Sequence, residues 1–439
     1  MELPEELLNS LTLVKGFDRE AFIKVHQDTS RITSIRLNTH KMVKLPFELN
    51  SKIPWTENGY YLKQRPYFTH DPLFHAGCYY VQEPGSMILE QYVRVGLGNL
   101  NDPKVLDLCA APGGKSTLIS NFLGNKGLLV ANEFVKSRSS ILARNLSKWG
   151  MNNTIVTNNP PSSFEVMADY FDMVITDVPC SGSGLFRKQP EAIKEWNLEN
   201  VKNCSIRQKE IMDAAVKALK VNGMLVYSTC SYSYEENENI VSWLLRNYSL
   251  QPVEIPIDPS WGLVESEGGL RFYPYLTGSE GFFVAAFLKK EGEIRNYRPK
   301  KKLKKLNNLG NWINQVEGSA VEVSGKIHYC SNLIINFLEE NHPSLFYRKA
   351  GILMGEIKGK DFIPDQELAY TPTHASSIQK VELDQENALL FLKKQTFKVD
   401  PETGNGLFLA CFQGYGLGWF KKLPNRINNY LPQDLMVLH

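Results

Sequence analysis

Short apolar runs, separated by longer amphipathic segments, dominate the sequence between residues 85 and 290. The runs of strand length are VLDLC (105–109), LLVANE (128–133), NTIVTN (153–158), FDMVITD (171–177), GMLVYST (223–229) and GFFVAAFLKK (281–290). Most of their positions are apolar without alternation, which is typical of strands that are buried on both faces of a sheet. Helix-like segments follow the runs, for example VKSRSSILARNLSKWG at 135–150. The pattern predicts an α/β fold with a doubly wound, mainly parallel sheet.

The segments on either side of this region have different patterns of apolar and polar residues. Residues 1–75 begin with helix-like EELLNSLTLV and continue with a short strand, TSIRLN, so they predict a small α/β unit. Residues 291–310 are strongly basic and suit a linker between domains. Residues 311–372 have the pattern of another α/β segment. Residues 373–439 are rich in glycine and aromatic side chains, which predicts a small barrel-like β module.

Composition indicates a soluble globular protein. Hydrophobic residues make up 43% and charged residues 22% of the 439 positions, and no apolar run reaches the roughly 18 residues that span a bilayer. The acidic N-terminus does not resemble a signal peptide, so we expect a cytoplasmic protein that does not act on a membrane. Seven cysteines without a CxxC pair, and eight histidines without metal-binding spacing, argue against structural disulfides and against a metal site.

The net charge of +2 says little about partners, but its distribution along the chain says more. The run from Arg295 to Lys305 has seven basic residues and no acid, which suits contact with a phosphate backbone. Taken alone, this run is better interpreted as a solvated linker between two domains.

Polar or nucleophilic residues stand at the ends of several predicted strands. Cys109, Glu133, Asp177 and Cys230 each come at or directly after the end of an apolar run. Right-handed crossovers bring the carboxyl ends of parallel strands to one edge of the sheet, where ligands bind in such folds. The sequence therefore predicts that these four residues share one surface.

The segment CAAPGGKS (109–116) follows the first apolar run and opens a helix. It does not match a phosphate-binding P-loop, because Cys109 takes the place of the first glycine of that motif. In a nucleoside-binding loop, Gly113 and Gly114 would let the backbone approach a ligand, and Glu133 would bind ribose hydroxyls. The alternative is that the glycines simply form a strand-to-helix turn. The position of Glu133 favours a nucleoside cofactor.

Cys180, in DVPCSGSG, and Cys230, in STCS, follow neighbouring predicted strands. A single cysteine is most often a small buried apolar residue, but two at adjacent strand ends suggest thiol chemistry. A thiolate is favoured by nearby positive charge and helix N-termini, which Lys115 and a helix beginning near Tyr234 would provide. A thiolate, a carboxyl group and a nucleoside cofactor together suit methylation of a pyrimidine at C5. Thiolate attack on C6 activates C5 in that reaction.

The three motifs CAAPGGKS, DVPCSGSG and STCS occur in this order, each at a predicted strand end. They are similar to the motif set of the Nol/Nop/Sun family of RNA cytosine-5 methyltransferases, over about residues 80–290. FRKQPEAIKEW, GILMGEIKGKDFIPDQELA and QGYGLGWFKK extend the likeness to the bacterial branch of that family. The resemblance implies an RNA-binding unit at 1–75, a Rossmann-like class I methyltransferase core at 76–290, a ferredoxin-like domain at 311–372 and a PUA-like RNA-binding domain at 373–439.

The resemblance also implies an activity and its partners. The methyl donor would be S-adenosylmethionine. The target would be a cytosine in small-subunit (16S) ribosomal RNA, met either as RNA or within the small ribosomal subunit, by a monomeric enzyme. In the family, Cys230 would be the nucleophile on C6, Cys180 would help to release the product, Asp177 would contact the base, and Lys115 would point into the site. The residues implied to hold the cofactor are Cys109, Ala110, Ala111, Pro112, Gly113, Gly114, Lys115, Glu133, Asn158 and Asp177.

The sequence departs from the family at one place. The family has an Asp after the third strand, where it would meet the adenine amine, but this chain reads TNNPPSS with Pro160 at about that position. Asn158 or Asn159, or a backbone carbonyl, would then have to serve instead.

Two other hypotheses are compatible with parts of the sequence. A non-catalytic RNA-binding factor for assembly of the small ribosomal subunit would keep these motifs only as remnants, and the intact Lys115, Asp177, Cys180 and Cys230 argue against it. A methyltransferase acting on small molecules is disfavoured by the additional C-terminal half and the basic run.

Overall fold

The computed structural model describes residues 2–28, 30–292, 295, 297–300, 302–306, 312–314, 318–323, 325–341, 344–359 and 361–438, except for the side chain of residue 341. Part of the predicted basic linker at 291–310 lies outside these residues. The described strands form four sheets, which follow one another along the chain apart from one exchanged strand.

The N-terminal unit has three helices and a four-stranded sheet. Its elements are α1 (Glu5–Ser10), α2 (Arg19–Gln27), β1 (Ser34–Leu37), β2 (Leu49–Lys52), β3 (Gly59–Leu62), α3 (Pro72–His75) and β4 (Tyr79–Val81). The sheet order is β2-β3-β1-β4. Because β4 pairs with β1, the unit extends beyond the predicted boundary at residue 75.

The central sheet has ten strands and carries the predicted α/β core. Its own strands are β5 (Lys104–Asp107), β6 (Leu128–Asn132), β7 (Thr154–Thr157), β8 (Phe171–Asp177), β9 (Leu219–Thr229), β10 (Leu250–Pro252), β11 (Val264–Ser266), β12 (Gly269–Phe272) and β13 (Phe282–Lys289). Its helices are α4 (Leu89–Leu97), α5 (Gly114–Leu123), α6 (Lys136–Trp149), α7 (Leu198–Ala218), α8 (Glu238–Asn247) and α9 (Pro274–Thr277).

Five of these strands are parallel, in the order β7-β6-β5-β8-β9, and β13 adds to β9 in the antiparallel sense. All six apolar runs are strands of this sheet, which confirms the predicted Rossmann-like core. The sheet is mixed, because β10 to β13 are antiparallel to their neighbours.

Both faces of the central sheet are buried, which explains why its strands are apolar throughout. Successive residues of a strand point to opposite faces. Leu106 and Val130 pack into a core shared with α7, whereas Val105 and Leu129 pack into a second core shared with α4 and α5. All four side chains are fully buried. Each such burial contributes roughly 1.5–3 kcal/mol, so both cores favour the same sheet.

The C-terminal half supplies two more sheets. Its elements are β14 (Lys305–Leu306), β15 (Ser319–Val323), β16 (Lys326–Cys330), α10 (Asn332–Asn341), β17 (Tyr347–Ala350), β18 (Ile352–Lys358), β19 (Asp361–Pro364), α11 (Gln366–Tyr370), β20 (Lys380–Glu382), α12 (Gln385–Leu392), β21 (Gly406–Phe412), β22 (Tyr415–Leu423) and β23 (Arg426–Asn429). The last four strands form one sheet, in the β-rich module predicted for the end of the chain.

The sheet between the core and this module has the order β14-β15-β16-β18-β19, with antiparallel neighbours. Its strands lie in chain order, which differs from the ferredoxin-like arrangement predicted for 311–372, where crossovers separate consecutive strands. The missing strand, β17, pairs with β7 and becomes an edge of the central sheet. Strand β17 therefore ties this segment to the central sheet.

The N-terminal unit and the C-terminal β module share one hydrophobic core. Ile35 and Leu73 from the first unit belong to the same buried cluster as Phe391 and Leu417 from the module. At its rim, the amide of Gln413 donates to the carbonyl oxygen of residue 44, and its oxygen accepts from the N–H of that residue, both at 3.0 Å. The two ends of the chain therefore form one continuous body beside the central sheet.

A buried ion pair joins β12 to the start of α8. Arg271 donates through Nε and Nη2 to the two carboxylate oxygens of Glu238, at 2.5 Å each, and the side chains are 2% and 0% exposed. The third arm of the guanidinium donates to the carbonyl oxygen of Tyr232 at 2.8 Å. This pair therefore also supports the chain that follows β9.

We predict that Arg271→Ala lowers the free energy of unfolding by about 3–5 kcal/mol, because it leaves a buried carboxylate without a partner. Urea denaturation followed by circular dichroism measures the change. Lys63→Ala is the control, since it breaks an ion pair of similar length (2.6 Å) with 60% and 77% exposed side chains, and it should have a far smaller effect. Equal losses in the two variants would contradict the prediction.

Candidate active site

The loops that follow β8 and β9 bring two sulfur atoms together. These strands are parallel neighbours, with Asp177 in register with Ser228, so the loops after them leave the sheet side by side. The Sγ atoms of Cys180 and Cys230 lie 3.2 Å apart, and neither side chain is fully buried. The structure therefore brings together the two cysteines that the sequence analysis singled out.

A buried carboxylate holds these two loops in place. Glu236 accepts hydrogen bonds from the N–H of Ser181 at 2.7 Å and from the hydroxyls of Ser181 and Ser231 at 2.5 Å each. Ser181 and Ser231 each directly follow one of the cysteines, so a single side chain fixes the spacing of both. The sequence analysis missed Glu236, because an acid in the run EENEN is typical of an exposed first turn of a helix.

Gly184 allows the two loops to approach this closely. Its N–H donates to the carbonyl oxygen of Cys230 at 2.8 Å. A Cβ atom at this position would lie 2.5 Å from the carbonyl oxygen of Gly281 and 2.7 Å from that of Cys230. Any side chain at position 184 would therefore push either β13 or the Cys230 loop away.

Two thiols of the site hold their protons more tightly than a free cysteine does. The hydrogen bond to Cys230 raises the pKa of Cys180 well above its ordinary range, and burial adds to that shift. Burial is also the main reason that the pKa of Cys109 lies well above its usual value. At neutral pH both Cys180 and Cys109 therefore keep their protons, and Cys180 can donate its S–H to the Cys230 sulfur.

A charged pair lies at the same edge of the sheet. Lys115 Nζ, in the first turn of α5, is 2.8 Å from Oδ2 of Asp177, at the end of β8. The hydroxyl of Ser228 donates to the other carboxylate oxygen at 3.1 Å. The side chain of Asp177 is 36% exposed, whereas that of Lys115 is 12% exposed. The Asp177 carboxylate is thus positioned by its partners and still accessible to a ligand.

The loop between β5 and α5 has the form expected for a cofactor-binding turn. Gly113 precedes the helix with φ = 113°, in the left-handed region that favours glycine. Arg138 and Asn145, both on α6, donate to the carbonyl oxygens of Ala111 and Pro112 at 2.8 Å each. With its carbonyls held towards α6, the loop presents the N-terminus of α5, whose N–H groups suit an anion or a polar ligand.

Two carboxyl groups near this loop fit a nucleoside cofactor. Glu133, just beyond β6, accepts from the N–H of Val135 at 2.9 Å, and its other oxygen lies 3.6 Å from Arg138. Asp107, the last residue of β5, accepts from the hydroxyl of Ser116 at 2.6 Å. Its second oxygen is buried and has no hydrogen-bond partner among the described residues. The unpartnered oxygen of Asp107 gives the site a free acceptor for a hydroxyl or ammonium group.

Asn158 and Asn159 follow β7, at the place where the family Asp was expected. The amide of Asn158 donates to the carbonyl oxygens of Glu133 and Phe134, at 2.7 and 2.8 Å, and its oxygen accepts from Arg348 at 3.4 Å. The side chain of Asn159 forms hydrogen bonds with the backbone of Phe346. Both amides are engaged within the protein, and a contact of Asn158 with a cofactor stays a prediction.

Other kinds of site are absent from the part of the chain that the structure describes. There, no group of three or more His, Cys, Asp or Glu residues has the geometry of a metal site. Within the same residues, the helices are too short or too polar to cross a bilayer.

Family models match the chain in three segments. The model described as 16S rRNA methyltransferase RsmB/F matches residues 95–288. The model of the N-terminal domain of 16S rRNA methyltransferase RsmF matches residues 3–84, and the RsmF PUA domain model matches residues 378–437. The match to the N-terminal domain model ends at residue 84, just after β4, which agrees with the extension of the N-terminal unit to that strand.

Individual relatives are similar over nearly the full length. The chain is 31% identical over 437 residues to ribosomal RNA small subunit methyltransferase F of Shewanella piezotolerans, covering 92% of this chain and 90% of the relative. It is 29% identical over 469 residues to the protein of the same name from Vibrio cholerae, covering 99% and 98%.

Solved structures share the fold of about two thirds of the chain. A methyltransferase homolog protein from Pyrococcus horikoshii superposes with a TM-score of 0.52 at 26% identity, covering 65% of this chain and 100% of that one. NSun6 from the same organism, solved with SFG, has a TM-score of 0.55 at 21% identity and covers 66% and 99%. At that identity the second likeness concerns the fold alone.

We predict that Asp107 makes stability depend on pH. Burial raises its pKa to about 7, with Asp177 and Glu133 adding to the shift, while Ser116 and Lys115 oppose it. Below about pH 4 the carboxyl is protonated in both the folded and the unfolded chain, so its contribution is fully present. As the pH rises to about 7, the unfolded chain ionises first and that stability is lost.

Asp107→Asn stays neutral at every pH and lacks this dependence. The free energy of unfolding of the wild type, measured relative to Asp107→Asn, should therefore fall between pH 4 and 7 by on the order of 1 kcal/mol per pH unit. Urea titrations of both proteins at several pH values provide the comparison. Parallel pH profiles for the two proteins would show that Asp107 ionises normally.

Proposed function

The chain belongs to the RsmF family of 16S rRNA methyltransferases, and on that premise we propose that it transfers a methyl group from S-adenosylmethionine to C5 of a cytosine in small-subunit ribosomal RNA. The observation that carries this proposal is the contact between Cys180 and Cys230, 3.2 Å apart, at the sheet edge that also holds Lys115 and Asp177. A thiol pair beside a carboxylate and a nucleoside-binding loop suits this reaction better than a purely structural role.

S-adenosylmethionine, when bound, supplies an electrophilic methyl group. The loop from Cys109 to Lys115, together with Glu133, would hold its nucleoside and amino acid portions at the carboxyl edge of the sheet. The left-handed Gly113 and the unpartnered oxygen of Asp107 support this placement, since one opens the backbone to a ligand and the other offers a buried acceptor. The chain's own residues then act on the base.

Cys230 is the proposed nucleophile. Its Sγ adds to C6 of the cytosine, and the electron pair of the C5–C6 double bond becomes available at C5, which is otherwise a weak nucleophile. A proton shared between the two sulfur atoms, 3.2 Å apart, would stabilise negative charge on the one that attacks. The choice of Cys230, rather than Cys180, as the attacking residue rests on its place in the motif STCS.

Cys180 then serves the release of the product. Once the Cys230 sulfur is bonded to C6, it can no longer share a proton with Cys180. Cys180 can then release its proton to solvent and, as a thiolate, accept the proton on C5, which by then also carries the transferred methyl group. As that proton leaves, the C5–C6 double bond re-forms and the Cys230 sulfur is expelled.

Asp177 and Lys115 orient the base. The half-exposed Asp177 carboxyl group would hydrogen-bond to the polar edge of the pyrimidine, where charge develops when sulfur adds to C6. Lys115 and Ser228 fix the position of that carboxyl group in advance. Such preorganisation is effective because no rearrangement is needed during the reaction.

The remaining domains are the proposed RNA-binding surface. The target cytosine must leave its stack to reach the thiols, because bases in folded RNA are shielded. The N-terminal unit and the C-terminal β module share one core beside the catalytic sheet, so both can contact the same RNA. Recognition through RNA shape and phosphate contacts would place the cytosine without a long sequence readout.

Transfer of tritium-labelled methyl groups from S-adenosylmethionine tests the activity. Incorporation is expected into undermethylated 16S ribosomal RNA or into isolated small subunits, with the label on cytosine C5. No incorporation into either substrate would instead favour the alternative of a non-catalytic assembly factor.

We predict opposite effects for the two cysteine variants. Cys230→Ala should lower methyl transfer by about a thousandfold or more while cofactor binding is retained, because the nucleophile is lost. Cys180→Ala should accumulate a covalent enzyme–RNA adduct that migrates slowly on a denaturing gel, because release is blocked. Cys411→Ala is the control, since Cys411 is a buried cysteine on β21, and it should form product normally. An adduct found with Cys230→Ala would reverse the assigned roles.

A further inference from the structure

Strand β17 brings a segment of the C-terminal half to the edge of the catalytic sheet. Its pairs include Tyr347 with Thr157 and Ala350 with Ile155, both in the antiparallel sense to β7. This segment lies beyond residue 288, where the match to the catalytic family model ends. The residue that precedes β17 is Phe346, and its position follows from this pairing.

Several contacts hold β17 in one place. Lys349 Nζ is 2.6 Å from the carboxylate of Glu367, and the Lys349 side chain is 2% exposed. Gly351 donates its N–H to the carbonyl oxygen of Thr154 at 2.9 Å, and a Cβ at this glycine would lie 2.2 Å from the carbonyl oxygen of Tyr329. The strand is therefore a fixed part of the sheet.

The backbone of Phe346 is bound to the two residues that follow β7. Its carbonyl oxygen accepts from the N–H of Asn158 at 3.0 Å and from the side chain of Asn159 at 3.2 Å. Its N–H donates to the oxygen of the Asn159 amide at 3.0 Å. Three hydrogen bonds thus anchor a residue whose large apolar side chain is nevertheless 56% exposed.

One face of the Phe346 ring already has a partner. The guanidinium carbon of Arg348 lies 5.0 Å from the ring centroid, and Arg348 also donates to the oxygen of Asn158. A cation on one face restricts the ring while the remainder of it stays open to a ligand. An exposed aromatic ring that is held in this way is suited to stacking on a flat group.

The location of the ring points to the cofactor. Asn158, which is bound to the Phe346 carbonyl, donates to the carbonyl oxygens of Glu133 and Phe134. Glu133 is the acid proposed to bind the cofactor ribose, and Phe134 is a second exposed aromatic residue, at 64%. Asn158 therefore links the backbone of Phe346 to that of Glu133, so Phe346 is anchored beside the nucleoside end of the proposed site.

We propose that Phe346 forms a wall of the adenine end of the S-adenosylmethionine site. This inference rests on the proposed use of that cofactor. A residue from the C-terminal half then completes a binding site whose other parts come from the catalytic domain.

Isothermal titration calorimetry of the full-length protein tests the proposal. Phe346→Ala should weaken the binding of S-adenosylmethionine by about tenfold, as expected for the loss of one aromatic stacking contact. Phe346→Tyr should bind nearly as tightly as the wild type. Ile357→Ala is the matched control, because Ile357 is a 61% exposed apolar residue on β18, and it should leave the affinity unchanged.

Cofactor affinity of Phe346→Ala equal to that of the wild type would overturn the inference. Reduced affinity for ribosomal RNA, with cofactor affinity unchanged, would likewise overturn it and assign the ring to RNA. If the wild type itself bound no S-adenosylmethionine, the proposed function would fail instead. Circular dichroism of each variant checks that the fold is retained, which is expected for substitutions of exposed side chains.

Discussion

Two sulfur atoms 3.2 Å apart cannot both carry a negative charge at low energetic cost. The contact between Cys180 and Cys230 therefore assigns the proton to one sulfur and leaves the other as the acceptor. The proposed reaction uses this arrangement, because it needs a nucleophile and a proton carrier that act in sequence. In that proposal, the sulfur that stays free accepts a proton after the other has bonded to carbon.

The rest of the fold maintains this contact. Parallel pairing of β8 and β9 brings the two loops to one edge, Glu236 ties the loops together, and Gly184 lets them approach. The ion pair of Arg271 with Glu238 supports the loop after β9, because Arg271 also donates to the carbonyl oxygen of Tyr232. The cofactor loop and the charged pair of Lys115 and Asp177 reach the same edge because their strands are parallel. Sheet topology thus determines where the chemistry takes place.

The central sheet could be predicted because its strands are buried on both faces and are therefore apolar throughout. The proximity of the loop after β5 to the two cysteines could be predicted because the carboxyl ends of parallel strands meet at one edge of a sheet. Strand β17 could not be predicted, since YRKA is short and half polar and pairs with a strand far earlier in the chain. Glu236 was missed because nothing in its local sequence distinguishes a buried clamp from an exposed acid.

The sheet of β14, β15, β16, β18 and β19 does not have the ferredoxin-like strand order that the resemblance implied. Short strands with alternating polarity are compatible with several orders of pairing. Strand β17 pairs with β7 and extends the central sheet instead. The exchange carries Phe346 to the residues that follow β7, and this position is the basis for its proposed contact with the cofactor.

Trapping with 16S ribosomal RNA that contains 5-fluorocytosine tests the central claim most directly. Fluorine at C5 cannot leave as a proton does, so the enzyme stays bonded to the base after methyl transfer. Protease digestion and mass spectrometry then identify the attached residue. The account predicts a nucleotide on the peptide that contains Cys230. A nucleotide on the peptide that contains Cys180, or no covalent product in the presence of S-adenosylmethionine, would contradict it.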